Sequence, residues 1–591
     1  MQEHVDKARD SGASGNTRKD ILLWLWCGLV LLFFLILKSF SLHWGIGDGN
    51  IYLSMAWAIG HYGVLPYRDF FFAHPPLHLL PGVVLLKFLD VTPLTAGLLP
   101  IGASLIGALF LFLIAKRHFG SLAAAVTLLS YCFAYDLLRA SSHWTGINLS
   151  VLWMILGMWA LLKNRPALSG AFLAIGVCTG TYVLPAALMG LALAVLQSGH
   201  SGKRFTVGFA IPWGTVQVSG FLLGGGAYWN EVYRYHVEKP GTPAAVREMF
   251  IRVIGDNFPI FLGTFFGTVL LFLDPILDRA GWNRNRGITL WSSFRESLFS
   301  DGPRGIARLA ALWTLGMLLF IAMLRKVFPF YFLLAFPSMA LLTGFAVERT
   351  WNHTLSLWRE RARQNRHRKM AKRILFCLLI AIVAALLVRT PLQRKLLPGY
   401  FRSQDRPMQW TDAPVPQIVN AALHSCCFEN PARTGKDYGT VTELLYHESQ
   451  YFEKAEDLAA FVREQSSPTQ TIFGDSGTTG LIALLAQRRV AADEADTNVM
   501  RFKSGITDPE DLIRRIDTPD LAFVLVEGTR TKEGSIRYST FGSIPAFRDW
   551  LDENFEVAFE TRDRTKGTFF LLKRKNWMSE AGETLIMPTV P

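Results

Sequence analysis

The residues with chemical potential gather in a few short stretches, and Asp48 is the first of them. It lies in WGIGDGNIYLSMAWAIGHYGVLPYRDFFFAHPPLHLLPG, residues 44–82, just after the first long apolar segment, 21–40. A carboxylate beside a membrane can serve as a general base that takes the proton of an attacking hydroxyl. It can equally cap a helix starting near Asn50, a favoured place for Asp. Ionisable groups at membrane depth are functional by default. Asp69 sits in a Pro-bounded turn, Tyr67-Arg68-Asp69-Phe70. It can orient a site or pair with Arg68 and fix the turn, and the structural role is favoured. Asp136, in AYDLLRASSHWTG, is either a second carboxylate or a partner of Arg139, with pairing favoured and His143 nearby as an alternative.

Cations come next. NEVYRYHVEKPGTPAAVREM carries Tyr233, His236 and Lys239. Such a set suits a phosphate-bearing lipid, because cations and N–H donors stabilise a departing phosphate; a solvated amphipathic loop is the alternative. Arg325-Lys326 precedes FPFYFLLAFP. This pair either meets a specific anion or snorkels to lipid headgroups.

The elements that must hold these groups follow from composition. Half of the 591 residues are AVILMFWYC, 18% are charged, and there are 43 Phe and 17 Trp. That is the balance of a polytopic membrane protein with a soluble part. From Pro391 onward there are 24 Lys/Arg against 29 Asp/Glu; the remainder holds 36 against 18. Excess basic charge in the membrane half marks cytoplasmic loops rather than a nucleic-acid partner.

A transmembrane helix needs about 20 apolar residues. The expected spans are 21–41, 94–115, 121–135, 145–162, 205–225, 251–273, 306–324, 328–347 and 374–389, preceded by a polar tail, 1–20. The tail lacks the short apolar core and cleavage site of a signal peptide. Thr179-Gly180-Thr181 and Pro185 break 167–197 into two short helices. Ile51, Tyr52, Met55, Ala56, Ile59 and Tyr62 recur at helical spacing, the pattern of a helix lying on the membrane surface.

Loop charge sets the topology. Lys116, Arg117, Lys163, Arg165, Lys203 and Arg204 share one side only if 167–197 crosses twice. That side also receives 276–308 and 349–373, the latter with nine Lys/Arg against Glu360. The positive-inside rule makes it cytoplasmic. About eleven crossings result, with the N-terminus inside. The outer-face loop 43–92, the other outer loops and residues 391–591 face outside. The transmembrane domain runs over 21–390.

In the last part, strand-like runs at 470–473, 521–526, 555–560 and 567–572 alternate with helical patterns at 479–487, 509–516 and 545–552. A small α/β domain is expected. Gly474 to Gly480 lacks the spacing of a phosphate-binding loop and reads as a structural turn. Cys27, Cys132, Cys178 and Cys377 fall in apolar spans, and Cys426-Cys427 shows no metal-ligand spacing.

A carboxylate after the first span, a following helix and LPYRDFFFAHPPL together resemble the GT-C membrane glycosyltransferases. The nearest groups are the family 39-like ones, similar to protein O-mannosyltransferases and lipid A aminoarabinose transferases. FGDSGTTGLIALLAQRRVAADEADTN is similar to the outer domain of bacterial members. The resemblance implies an integral protein of the bacterial inner membrane. It also implies a polyprenyl-phosphate sugar donor and an inverting displacement. The acceptor would be a glycan, lipid or protein on the outer face, and no nucleic acid is involved.

Asp48 matches the family's first-loop carboxylate. Its second acid is often found near the fourth span, where this chain reads SSHWTG and Asp136 lies earlier. That departure weakens the case for a two-carboxylate site and for a divalent metal, which stays open as a cofactor. His236, Lys239, Arg325, Lys326 and Tyr331 lie in regions that family members use for the lipid phosphate, and with Arg68, His74 and Tyr233 they make up the expected substrate-binding set. The alternative is a non-enzymatic lipid or solute transporter, whose class commonly shows internal repeats; none stands out here.

Topology has a direct test. Protease applied to intact spheroplasts should remove the C-terminal domain. Protection there, with cleavage in inside-out vesicles, would reverse the assignment.

Overall fold

The computed structural model describes residues 2–39, 42–141, 144–277, 302–361, 452, 454–563 and 567–575. The expected span 374–389, the start of the C-terminal domain, Cys377, Cys426, Cys427 and His143 lie outside them.

Helix α1 (Gln2–Ser39) includes the polar tail, which continues into the first apolar segment without a break. Then come α2 (Asp48–Tyr62), α3 (Leu80–Phe88) and α4 (Pro93–His118). The start of α4 is set locally: Thr92 accepts a hydrogen bond from the Thr95 N–H at 3.1 Å, with Pro93 at the first helical position. Helices α5 (Ser121–Cys132), α6 (Tyr135–Ala140) and α7 (Ile147–Leu162) follow. Helices α8 (Pro166–Thr179) and α9 (Leu184–Gln197) are separated at Gly180, as the sequence indicates. Helix α10 (Gly199–Gly224) begins six residues before the expected span. It packs closely on α8, where a Cβ at Gly170 would lie 2.2 Å from the Phe205 carbonyl oxygen.

The expected straight span 251–273 is corrected. Helices α11 (Pro243–Asp256) and α12 (Phe258–Leu277) meet at 91°. Pro259, which has no N–H to donate, stands just past the bend. The Asn257 amide bonds both the Val253 carbonyl at 3.0 Å and the Asp136 carboxylate at 2.6 Å. Helices α13 (Pro303–Met323) and α14 (Phe336–Arg361) complete the bundle. A 3₁₀ turn, Pro329–Leu334, occupies the start of the expected span 328–347, and α14 runs past its end.

Among the described residues four helices are long and apolar enough to cross a membrane, or five if the bent pair counts as one. Five further apolar helices are shorter, so eleven full-length crossings are not seen in them.

The C-terminal part begins with α15 (Ala455–Gln465) and holds a six-stranded mixed sheet. Its strands are β1 (Thr471–Gly474), β2 (Arg489–Val490), β3 (Leu521–Arg530), β4 (Ile536–Tyr538), β5 (Phe555–Asp563) and β6 (Gly567–Arg574). The order is β2-β1-β3-β6-β5, with β4 on β3. Strand β1 pairs in parallel with β2 and β3, whereas β6 is antiparallel to β3 and β5. Helices α16 (Thr479–Ala486), α17 (Val499–Lys503), α18 (Pro509–Ile516) and α19 (Pro545–Asn554) join them.

Helix α2 does not lie on a membrane surface with a free outer face. Nearly every residue from Asn50 to Ala58 is buried. Ile51, Tyr52 and Met55 belong to one apolar cluster with Leu458, Ile482, Phe523 and Phe569 of the C-terminal domain. The helical spacing was legible, but the partner covering its outer face comes from more than 400 residues away. Gly480 lets α16 approach: a Cβ there would stand 2.9 Å from the Asn50 carbonyl oxygen and from the Ser54 Cβ.

Gly480→Val should force the two helices apart. Overpacking of this kind costs about 1–3 kcal/mol. Thermal unfolding should show a lower Tm, and limited proteolysis should cut sooner at the α2–α16 seam.

Candidate active site

Asp48 is the first residue of α2, and Gly47 occupies the capping position, so Asp48 is not the N-cap expected from the sequence. Gly47, at φ 155°, adopts a backbone conformation that L side chains rarely take. Its N–H donates to the Gly477 carbonyl at 3.1 Å, and the Asn50 side-chain amide reaches the same carbonyl at 2.7 Å and that of Gly45 at 2.8 Å. The turn at Gly474 to Gly480 therefore holds the loop that carries Asp48.

The Asp48 side chain is open, but onto a cavity of about 270 Å³ rather than bulk water. Trp44, Trp144, Asp136, Arg139 and Phe330 line it with Asp48. Burial pushes the Asp48 carboxyl up to about 6; the Asp496 charge adds to this, and Lys239 and Lys326 oppose it. The positive end of α2 favours the ionised form of Asp48.

Asp136 lies in α6 and faces the same cavity. Its backbone N–H donates to Asn257 Oδ1 at 3.1 Å, while Asn257 Nδ2 donates to its carboxylate at 2.6 Å. Burial, then the Asp256 charge, raises its carboxyl to about 6; Arg139, the Asn257 bond and Arg252 oppose the rise. Asn257 is thus a hydrogen-bond partner that the sequence did not reveal, and Arg139 acts on Asp136 through its field.

Two of the expected cations border the site. The Lys239 ammonium lies 4.4 Å from the Tyr235 ring centroid, and Lys326 lies 5.3 Å from that of Phe328. Burial lowers the pKa of both. The Asp48 carboxylate opposes that shift in each, with Asp496 also acting on Lys239. Tyr331 is within the Asp48 field and packs against Tyr182 with ring centroids 5.6 Å apart. Arg325 is exposed, and Gly241 packs against its carbonyl.

The imidazoles form a separate group. Tyr52 Oη and His74 Nε2 are 3.0 Å apart, and the His74 and His78 rings stack at 4.6 Å. His236 Nε2–H donates to the Ala73 carbonyl at 2.7 Å. Burial, the largest cause in each, drives His74 well below its ordinary pKa and lowers His78 and His236 to about 4. All three are neutral at pH 7.

Other expected residues are elsewhere. Asp69 accepts from Arg68 at 2.8 and 2.9 Å and from the Leu65 N–H at 2.8 Å, and neither Asp69 nor Arg68 lines the Asp48 cavity. Tyr233 donates to Gln217 of α10 at 2.6 Å.

The C-terminal domain adds residues that sequence patterns did not single out. The Asp496 carboxylate accepts the Asn498 N–H at 2.9 Å. Arg501 Nη1 holds the Asp496 carbonyl at 2.8 Å and Glu494 at 2.6 Å; both members of the ion pair are buried. Glu494 also takes Arg515 at 2.8 Å and the Phe71 N–H at 3.4 Å. The acid-rich ADEADTN was the available signal, but spacing alone did not say which acid turns inward. Among the described residues no group of three or more His, Cys, Asp or Glu side chains is disposed to hold a metal ion.

A bundle of apolar helices, an acidic loop after the first of them and a mixed-sheet domain seated on that loop make up the fold. The solved structures similar to this chain include ArnT, the lipid A aminoarabinose transferase, from Cupriavidus metallidurans in the apo state. The TM-score is 0.54 at 15% identity, over 92% of this chain and 97% of that one. The same protein bound to undecaprenyl phosphate gives 0.54 at 14% identity, over 92% and 98%. The archaeal oligosaccharyltransferase AglB from Archaeoglobus fulgidus gives 0.42 at 12% identity, over 91% and 80%. The ArnT likeness bears out the GT-C resemblance as a shared fold. No family model matches the chain, and no curated protein matches it by sequence.

The position of Asp48 sets a stability cost. A carboxyl whose folded pKa lies above its unfolded value stabilises the fold at low pH, and that contribution is lost as pH rises through the folded value. For Asp48 the loss falls between about 3.8 and 6. Asp48→Asn should therefore melt at or above the wild-type Tm at pH 7.5, with the advantage gone below pH 4. Parallel melting curves over that range check the sign.

Proposed function

We propose that this chain is an inverting glycosyltransferase of the bacterial inner membrane. It moves a sugar from a polyprenyl-phosphate donor to an acceptor on the outer face. The observation that carries this is Asp48, a carboxylate open to a cavity and bordered by Lys239 and Lys326. The ArnT structure bound to undecaprenyl phosphate, which shares the fold, supports the choice of donor.

The chemistry follows from the charges. The acceptor hydroxyl attacks the anomeric carbon, and Asp48 takes its proton. The bond from that carbon to the phosphate oxygen breaks, and the electron pair leaves on the polyprenyl phosphate. Lys239 and Lys326 stabilise the phosphate charge from a partly desolvated setting, where such contacts are stronger than in water. Arg325 serves at the exposed rim, and Tyr331 packs beside the reacting groups. Asp136, held by Asn257, is the second carboxylate of the cavity and orients the acceptor. His236 supplies no positive charge at neutral pH, and its Nε2–H is committed to Ala73. It therefore positions the segment bearing His74. No step requires a metal.

A well-placed general base contributes roughly 100- to 10,000-fold in rate. Asp48→Asn should lose about that factor in a transfer assay with the protein still folded. In the wild type, kcat/KM should fall as pH drops through about 6, where Asp48 gains its proton. Lys239→Ala and Lys326→Ala should raise the Kd for undecaprenyl phosphate more than that for the acceptor. Near-normal turnover of Asp48→Asn would move the base to Asp136.

A further inference from the structure

A second cavity, of about 510 Å³, opens between the first outer loop, Glu231 and the C-terminal domain. It shares no lining residue with the Asp48 cavity. Four arginines and five acids line it, and most are already tied to one another. Arg68 pairs with Asp69 at 2.8 Å, Arg515 with Glu494 at 2.8 Å, and Arg514 with Asp511. Arg501 shares Glu494 with Arg515, Asp508 accepts the Glu510 N–H at 3.0 Å, and Glu231 differs from the other acids. Its carboxylate accepts the Phe72 N–H at 2.7 Å, and burial raises its pKa to about 8, so it is uncharged at neutral pH. The remaining charges balance, four against four.

That balance sorts ligands by charge. A phosphate or carboxylate needs a cation with spare charge, whereas here each guanidinium faces a carboxylate. A sugar hydroxyl both donates and accepts, and a fixed arginine–carboxylate pair offers an N–H and a lone pair side by side. Phe70 and Ile506 add apolar surface for the C–H face of a pyranose ring. The turn presenting Arg68 and Asp69 is held under backbone strain. Tyr67 has φ 66°, and its hydroxyl donates to the His74 carbonyl at 2.5 Å. Strain of this kind collects at binding sites.

Ring contacts lead from the cavity wall toward Lys239. That wall includes Phe71, whose ring lies 4.3 Å below the Arg501 guanidinium and 5.4 Å from Tyr235. Lys239 stands over the Tyr235 ring.

We propose that this inter-domain cavity is the acceptor subsite and binds an uncharged oligosaccharide segment. The assignment rests on the transferase function proposed above. The test uses the full chain in phosphatidylethanolamine–phosphatidylglycerol nanodiscs and saturation-transfer NMR. The probes are maltotriose, mannotriose, chitotriose and the anionic trigalacturonate. At least one neutral trisaccharide should receive saturation. Its signal should fall at least fivefold in the Arg68→Ala/Arg514→Ala double variant, whose two positions are exposed, with Tm confirming the fold. No signal from any neutral sugar, an unchanged signal in the variant, or preference for trigalacturonate would overturn the proposal. Undecaprenyl phosphate binding in the same samples separates the two claims. If it binds while the sugars do not, the subsite falls and the transferase stands. If the sugars bind while it does not, the cavity keeps its ligand and the donor assignment falls.

Discussion

A single backbone carbonyl, that of Gly477, fixes the position on which the site depends. It receives the Gly47 N–H and the Asn50 amide, and so joins the tip of a turn in the C-terminal domain to the loop that follows the first long apolar helix. An ionisable group without a fixed local partner drifts toward water. Here the loop is held through its backbone and through Asn50, which leaves the Asp48 carboxylate open to the cavity. Gly47 and Gly480 allow the two surfaces to close, one through its backbone angle and the other through its missing side chain.

Charge around that point is arranged as a gradient. Asp48 and Asp136 share one cavity, Lys239 and Lys326 border Asp48, and Asp496 faces Lys239 from the other domain. Burial works against every one of these charges. Opposite charges on neighbouring elements recover part of that cost, so the acids and cations support each other's ionisation. The neutral imidazoles nearby add shape and hydrogen bonding without altering the balance.

How much of this was legible in the chain depends on range. Local signals were sound: the break at Gly180 and the alternating strands and helices after residue 470 stand where residue types place them. Asp48 stood out because it is an acid in an apolar setting. Asp136 was visible, but Asn257 was not, because 121 residues separate them and the bend that brings them together depends on both. The outer face of α2 read as surface because its cover is supplied by Gly480 and its neighbours. Asp496 was one acid among several until the Arg501 bond to its carbonyl set its direction.

The contact between Asn50 and Gly477 spans 427 residues of chain. During synthesis the membrane bundle emerges first, and long-range pairings form last. Throughout that interval the bundle carries an unfinished first loop, with the apolar face of α2 still waiting for its cover. The geometry around Asp48 comes into being only when the final third of the polypeptide has been made and folded. A chain cut short before Gly477 lacks the carbonyl that holds the Gly47 N–H and the Asn50 amide.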